Sequence, residues 1–192
     1  MTGIKQVHGY AVSMDAPNID TDQIIPARFL LRSRDAGYGE LLFRDSRFDK
    51  TGRKLSGHVL NYPSEETISI LVVNQNFGCG SAREQAAYAL YDYGIRAIVA
   101  PSFGEIFRLN CVRSGIIPAI VSDEDSETLH SLLDSKGRFM SIDLQNRLVT
   151  ADSVHVKFDI EDVNAERLIN DRDEIEETLA LEREISAFEL RM

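Results

Sequence analysis

Cysteine is scarce in this chain of 192 residues: only Cys79 and Cys111 occur. Two thiols supply neither a four-ligand structural zinc site nor the ligands of an iron–sulfur cluster. They could form one disulfide, but nothing else in the sequence points to an oxidising compartment. Basic residues are also few, 21 Lys and Arg against 31 Asp and Glu, for a formal net charge of −10. Such a field does not attract nucleic acid or an anionic membrane, so neither is expected as a partner. No run approaches the ~20 consecutive apolar residues that cross a bilayer. The segment 1–10 has no apolar signal core, so a soluble cytoplasmic protein is expected. What is present is enough apolar content, 43%, to bury a core and to exclude general disorder. One domain over 1–192 is expected, with 171–192 as a helical extension.

The chain divides into three stretches. In the first, Val7, Gly9, Ala11 and Ser13 alternate with His8, Tyr10, Val12 and Met14, a weak strand pattern. Turn-forming residues 17–22 follow, then the apolar Ile24, Ile25, Phe29, Leu30 and Leu31. Residues 32–57 are charged and glycine-punctuated, and read largely as loop. A loop this long in a compact domain is more often functional than idle. In the second stretch, 68–73, 95–100 and 116–121 read as buried strands. Between them come helical patterns, one ending at Tyr93-Gly94, one opened by Pro101-Ser102, and a third after 121 capped by Ser122-Asp123. This alternation predicts a parallel βαβαβ core with right-handed crossovers, an α/β fold. In the third stretch, Met140, Ile142 and Leu144, then Leu148-Val149, then Val154, Val156 and Phe158 predict antiparallel strands. A Glu-rich helix over 174–190 closes the chain and reads as solvated or partner-facing.

The chemistry concentrates in Asn76-Phe77-Gly78-Cys79-Gly80-Ser81-Ala82-Arg83-Glu84-Gln85. Two glycines permit a tight turn and close approach of a ligand. A helix N-terminus after them favours an anion, and Arg83 offers a planar fork to a carboxylate or phosphate. A dinucleotide loop fits less well, because its third glycine position holds Arg83. No Gly-Lys-Ser/Thr follows, so a phosphate-binding P-loop is excluded. Ser81-x-x-Glu84 fits a capping box, as does Ser102-x-x-Glu105, so Ser81 reads either as a plain cap or as a base whose alkoxide is stabilised there. Asp20-Thr21-Asp22 read alone as a turn or a cap. No motif makes His8, His58, His130 or His155 a ligand.

These residues resemble a known family. Residues 76–84 are similar to the NFGCGSSRE motif of 3-isopropylmalate dehydratase small subunits, within the aconitase superfamily. Asn18-Ile19-Asp20-Thr21-Asp22-Gln23-Ile24-Ile25-Pro26 resembles that family's N-[VI]-DTD-x-IIP segment, and Asp92-Tyr93-Gly94, Ala100-Pro101-Ser102-Phe103 and Ile106-Phe107 match further stretches. The similarity runs from Gly9 to about Pro118 and fades afterwards. It implies a swivelling β/β/α domain like the aconitase C-terminal domain, working in a heterodimer with a large subunit. No cofactor is implied in this chain; a [4Fe–4S] cluster in the large subunit acts as Lewis acid on the departing hydroxyl. The implied reaction moves a hydroxyl between neighbouring carbons of a small dicarboxylic hydroxy acid through an alkene, in leucine biosynthesis. By motif, Ser81 is the base and Arg83 binds a substrate carboxylate, with Gly80 and Ala82 beside it. Thr21 and Asp22 line the site, and Asp22 positions catalytic groups. Phe29-Leu30-Leu31 and the basic Arg32-Ser33-Arg34 lie where the superfamily selects its substrate: apolar side chains suit a branched alkyl group, an arginine a further carboxylate. Two departures stand out: Ala82 replaces the motif's second serine, and Gln85 the usual histidine. Loss of that hydroxyl is worth about 1 kcal/mol if it bonds a substrate. A related hydro-lyase acting on citramalate, dimethylmalate or homoaconitate, or a non-catalytic carboxylate-binding module, remains an alternative reading.

Overall fold

The structure is a computed structural model and describes residues 3–61, 67–133, 137–171, 178–179 and 182–190. The run Ile68–Val73 forms a strand buried on both faces, as an uninterrupted β-branched stretch demands. Around it a single mixed sheet assembles. Strands β1 (Gln6–Met14), β2 (Ile68–Val73), β3 (Ala97–Ala100) and β4 (Ile117–Ile120) are parallel neighbours. Strands β5 (Arg138–Asp143), β6 (Leu148–Ala151) and β7 (Val154–Lys157) add on antiparallel from β1. The order across the sheet is β4-β3-β2-β1-β5-β6-β7. The expected α/β class, parallel core and antiparallel additions are all present.

Side chains alternate between two cores. On one face Val12, Leu71, Val73 and Ile98 meet helix α3 (Glu84–Tyr93) and helix α4 (Glu105–Arg113) through Leu90 and Phe107. The segment after β1 completes that face with Ile24, Leu42 and Phe43; it contains helices α1 (Thr21–Ile24) and α2 (Arg44–Arg47) and several 3-10 turns. On the other face Ala11, Ile70, Val72 and Ile142 pack on Leu129 of helix α5 (Asp123–Leu132) and Leu168 of helix α6 (Asp162–Asn170). Helix α7 (Glu182–Glu189) follows, with Ile185 and Phe188 exposed; the expected start of that helix lies outside the described residues.

The caps correct the sequence reading. Helix α3 starts at Glu84 with Arg83 as N-cap, and α4 starts at Glu105 with Gly104 as N-cap; neither has a side-chain cap bond. Ser81 and Ser102 therefore do not cap. Ser102 Oγ instead accepts the Asn76 N–H at 2.9 Å. The capping box belongs to α1, where Asp20 Oδ1 accepts from the Gln23 N–H and the Gln23 side chain accepts from the Asp20 N–H. Ser122 caps α5 as expected, accepting the Asp125 N–H at 3.1 Å.

The long segment between β1 and β2 is held by a buried arginine. Arg47 is 2% exposed and donates to the Leu42 and Gly39 carbonyls and to Asn61 Oδ1. His58 packs on Phe43 with ring centroids 5.7 Å apart. Burial first, and the Arg47 charge second, pull the His58 pKa from 6.5 down to about 4. The unfolded chain then takes up the proton before the folded one does. Stability is complete above about pH 6.5 and falls as pH drops toward 4, by on the order of 2 kcal/mol after allowance for partial exposure. Urea denaturation of His58→Phe across that window should show a slope flatter than the wild type's; an identical slope would exclude His58 as its source.

Candidate functional site

Because β1 and β2 are parallel neighbours, the segments that leave them emerge side by side. Each turns at an asparagine in the left-handed region, Asn18 at φ 57° and Asn76 at φ 58°, a conformation this side chain tolerates. Asn76 Nδ2 donates to Asn18 Oδ1 at 2.8 Å. The two segments then zip together. The Asn18 N–H donates to the Gln75 carbonyl at 2.9 Å, the Gly78 N–H to Ile19 at 2.7 Å, and the Thr21 N–H to Cys79 at 3.0 Å. Thr21, only 1% exposed, adds a hydroxyl bond to the Ser81 carbonyl at 2.9 Å.

The two loop glycines have different causes. Gly78 has φ +72°, and a Cβ there would lie 2.2 Å from the Phe107 ring. Its smallness thus admits Phe107, which also meets Phe77 edge-on with centroids 5.5 Å apart. The close approach expected of a ligand is here made by the protein's own aromatic ring. Gly80 has φ +90° but no atom nearer than 3.6 Å to such a Cβ, and it is exposed. Gly80, Ser81 and Ala82 form an outward-facing rim.

Arg83 forms a two-pronged ion pair with Asp22, Nη1 to Oδ1 and Nη2 to Oδ2. The arginine side chain is 14% exposed and the carboxylate 54%. The Arg83 hydrogen bond holds the Asp22 carboxyl below the usual carboxylate range, so the pair is intact at neutral pH. It takes one N–H from each terminal nitrogen, and the Nε–H and the second N–H of each remain able to meet an incoming carboxylate. Thr21, Asp22, Gly80, Ser81 and Arg83 are thus gathered as the sequence suggested, although the helix begins three positions beyond Ser81.

Leu31 is fully exposed at 101%, and Arg32 is exposed beside it, its guanidinium 5.0 Å from the Phe29 ring centre. Arg34 is already engaged. Its Nε and Nη2 donate to the Asp92 carboxylate at 2.7–3.2 Å, and its guanidinium stacks 4.3 Å from the Tyr88 ring centre. Sequence reasoning missed the paired asparagines, the Phe107 platform and the Asp92 contact. The first had a signal, Asn at the head of two turn-rich segments; the others join residues far apart in sequence.

The two thiols are free. Cys79 Sγ contacts the Asn18 carbonyl at 3.5 Å, and Cys111 is buried, which raises its pKa. Among the described residues no three His, Cys, Asp or Glu side chains gather as a metal site. The donors present do not fit an iron–sulfur cluster held by this chain alone.

The family model for the aconitase C-terminal domain matches residues 1–124. The 3-isopropylmalate dehydratase small subunit of Shouchella clausii is 43% identical over 187 residues, 97% of this chain and 95% of that one. Its counterpart in Bacillus subtilis is 40% identical over 190 residues, 98% and 96% of the two chains. The crystal structure of 3-isopropylmalate dehydratase from Methanocaldococcus jannaschii matches with a TM-score of 0.63 at 27% identity, over 85% of this chain and 87% of that one. Similarity therefore extends well beyond residue 118, where the recognisable motifs fade.

The glycine contrast is open to measurement. Gly78→Ala should cost more than about 3 kcal/mol, through the Phe107 clash and positive φ together. Gly80→Ala should cost about 1 kcal/mol, through φ alone. Urea midpoints of the two variants check the ranking; equal losses would contradict it.

Proposed function

The chain belongs to the family of 3-isopropylmalate dehydratase small subunits, and from that membership we propose that it is the small subunit of a hydro-lyase isomerising 2-isopropylmalate to 3-isopropylmalate in leucine biosynthesis. Its partner is a large subunit, which carries the [4Fe–4S] cluster; the heterodimer is cytoplasmic and this chain is active only within it. The reaction loses water to give 2-isopropylmaleate and regains it with the hydroxyl on the neighbouring carbon.

This chain supplies the proton transfer. The Ser81 alkoxide takes the proton from the carbon next to a substrate carboxylate and becomes a hydroxyl. The freed electron pair forms the carbon–carbon double bond as the hydroxyl on the adjacent carbon leaves as water, its proton donated by an acid of the large subunit, whose cluster would supply the Lewis acid for that departure. On rehydration the proton returns from Ser81 Oγ to the alkene carbon that does not receive the hydroxyl. Arg83, steadied by Asp22, binds the carboxylate and offsets the charge that builds on it. Thr21 fixes the Ser81 peptide, and Gly80 and Ala82 leave room for the acid.

The observation that carries this reading is the placement of Ser81, exposed while its own carbonyl is pinned by buried Thr21. Leu31 favours an alkyl branch, since each buried CH2 is worth about 0.8 kcal/mol, and Arg32 stands ready for a carboxylate. Ala82, exposed at the motif's second serine position, also supports a second reading, the same chemistry on citramalate, dimethylmalate or a homoaconitate-type acid. Steady-state assay of the reconstituted complex against these acids separates the two.

Ser81→Ala in that complex should lower kcat by about a thousandfold and leave co-elution with the large subunit intact. Turnover within tenfold of wild type would remove Ser81 from the role of base.

A further inference from the structure

The motif Asp92-Tyr93-Gly94 lies outside the catalytic rim, and one of its residues has a partner in the substrate-selecting segment. Arg34 is the Asp92 partner, 58 residues away in sequence. The Asp92 side chain is 23% exposed and that of Arg34 45%. The contact combines a forked ion pair with stacking on Tyr88, an arrangement a lysine cannot reproduce.

Two further attachments fix the same segment. The buried Tyr38 hydroxyl points at the carbonyls that flank Leu31, donating to Arg32 at 2.9 Å with Leu30 at 3.4 Å. Gly39 lies directly on the Asp92 backbone: a Cβ at Gly39 would come within 2.8 Å of the Asp92 carbonyl and the Tyr93 nitrogen. The segment carrying Leu31 and Arg32 is thus tied at 32, 34 and 39, and the ties at 34 and 39 both end on α3. Leu31 itself makes no use of this frame, for it is fully exposed. The frame serves to present it.

We propose that Asp92 is a positioning residue: it latches Arg34 to α3, and so fixes Leu31 and Arg32 relative to the Ser81–Arg83 turn that precedes the same helix. In this arrangement Arg34 acts through the latch, and Arg32 is the arginine left to meet substrate. A released latch lets the segment wander and penalises binding of the substrate's alkyl branch, while the proton transfer at Ser81 is untouched.

The proposal rests on the proposed function for its kinetic readout only; its structural readout is independent. Amide hydrogen exchange on the full chain should show segment 30–37 opening about tenfold faster in Asp92→Asn and in Arg34→Lys than in wild type. In the reconstituted complex, Asp92→Asn should raise KM for 2-isopropylmalate about tenfold with kcat within twofold, and should weaken the preference for it over citramalate. Losses in kcat/KM from Arg34→Ala and Asp92→Ala should be non-additive, the double variant resembling either single one. Unchanged exchange in both conservative variants overturns the latch whatever the kinetics. Additive losses, with Arg34→Ala far the larger, also overturn it, because Arg34 then contacts substrate directly. Faster exchange in variants of a complex whose wild type fails to turn over 2-isopropylmalate upholds the latch and overturns the substrate assignment instead.

Discussion

The pairing of two turns, the one after β1 and the one after β2, is the constraint from which the site follows. Neither turn encloses anything alone. The parallel registry of β1 with β2 brings their ends to one edge, and the bonds from Asn18, Gly78 and Thr21 carry that registry past the sheet. A slip of one residue between the strands would invert every side chain on the moving strand. Leu71 and Val73 serve one core and Ile70 and Val72 the other, so β2 is apolar on both faces, and burial of those four side chains, each worth about 1.5–3 kcal/mol, holds the sheet. The bonds from Asn18, Gly78 and Thr21 then fix where the Ser81 peptide lies.

Within the paired turns the residues divide between those that hold and those that face outward. Thr21 is buried and spends its hydroxyl on a carbonyl; Phe107 fills the space under Gly78. Gly80, Ser81 and Ala82 are exposed. Asp22 and Arg83 stand between the two groups. The carboxylate orients the guanidinium, and Arg83 in turn keeps the carboxylate ionised. In a chain of net charge −10, the exposed Arg32 and the N–H groups of Arg83 not taken by Asp22 offer an acidic substrate partners that the overall charge does not. An open rim also suits a small subunit, since the proposed reaction needs groups this chain lacks.

Much of the fold was legible because burial and period agreed. The run 68–73 could be read to the residue, since a β-branched stretch between a polar segment and a glycine turn has few other uses. The helix starts were less so. Ser81-x-x-Glu84 and Ser102-x-x-Glu105 carry the capping pattern, yet each serine lies two positions before the residue that caps, Arg83 or Gly104. Ser102 Oγ serves Asn76 and the Ser81 peptide serves Thr21, so tertiary bonds displaced the local ones. The box that does form, Asp20 with Gln23, lay in a segment legible only as turn or cap. Helix α6 went unread because only Asn164, Ala165 and Leu168 along it are buried, too narrow a stripe to register as a period. The candidate site residues were named from the motifs, whereas the engagement of Arg34 could not be, because nothing local to residue 34 announces a partner at residue 92.

That last pairing shows how three consecutive residues at the end of α3 work as a unit. Asp92 grips Arg34. The Tyr93 hydroxyl donates to the Leu60 carbonyl at 2.8 Å and its ring lies under the buried Arg47 guanidinium, 4.8 Å from the ring centre. Gly94, at φ +124°, ends the helix and returns its N–H to Leu90 and Tyr91. One turn of helix thus anchors the selecting segment, anchors the longer loop behind it, and starts the path into β3. The other end of the same helix follows directly from Arg83. A rigid rod of ten residues joins the turn proposed to do the chemistry to the segments proposed to choose its substrate, and a helix of that length transmits position with little give. Altered specificity is then free to come from side chains at 31 and 32, which hang from the frame, while changes at 38, 39, 92 or 93 disturb the frame itself.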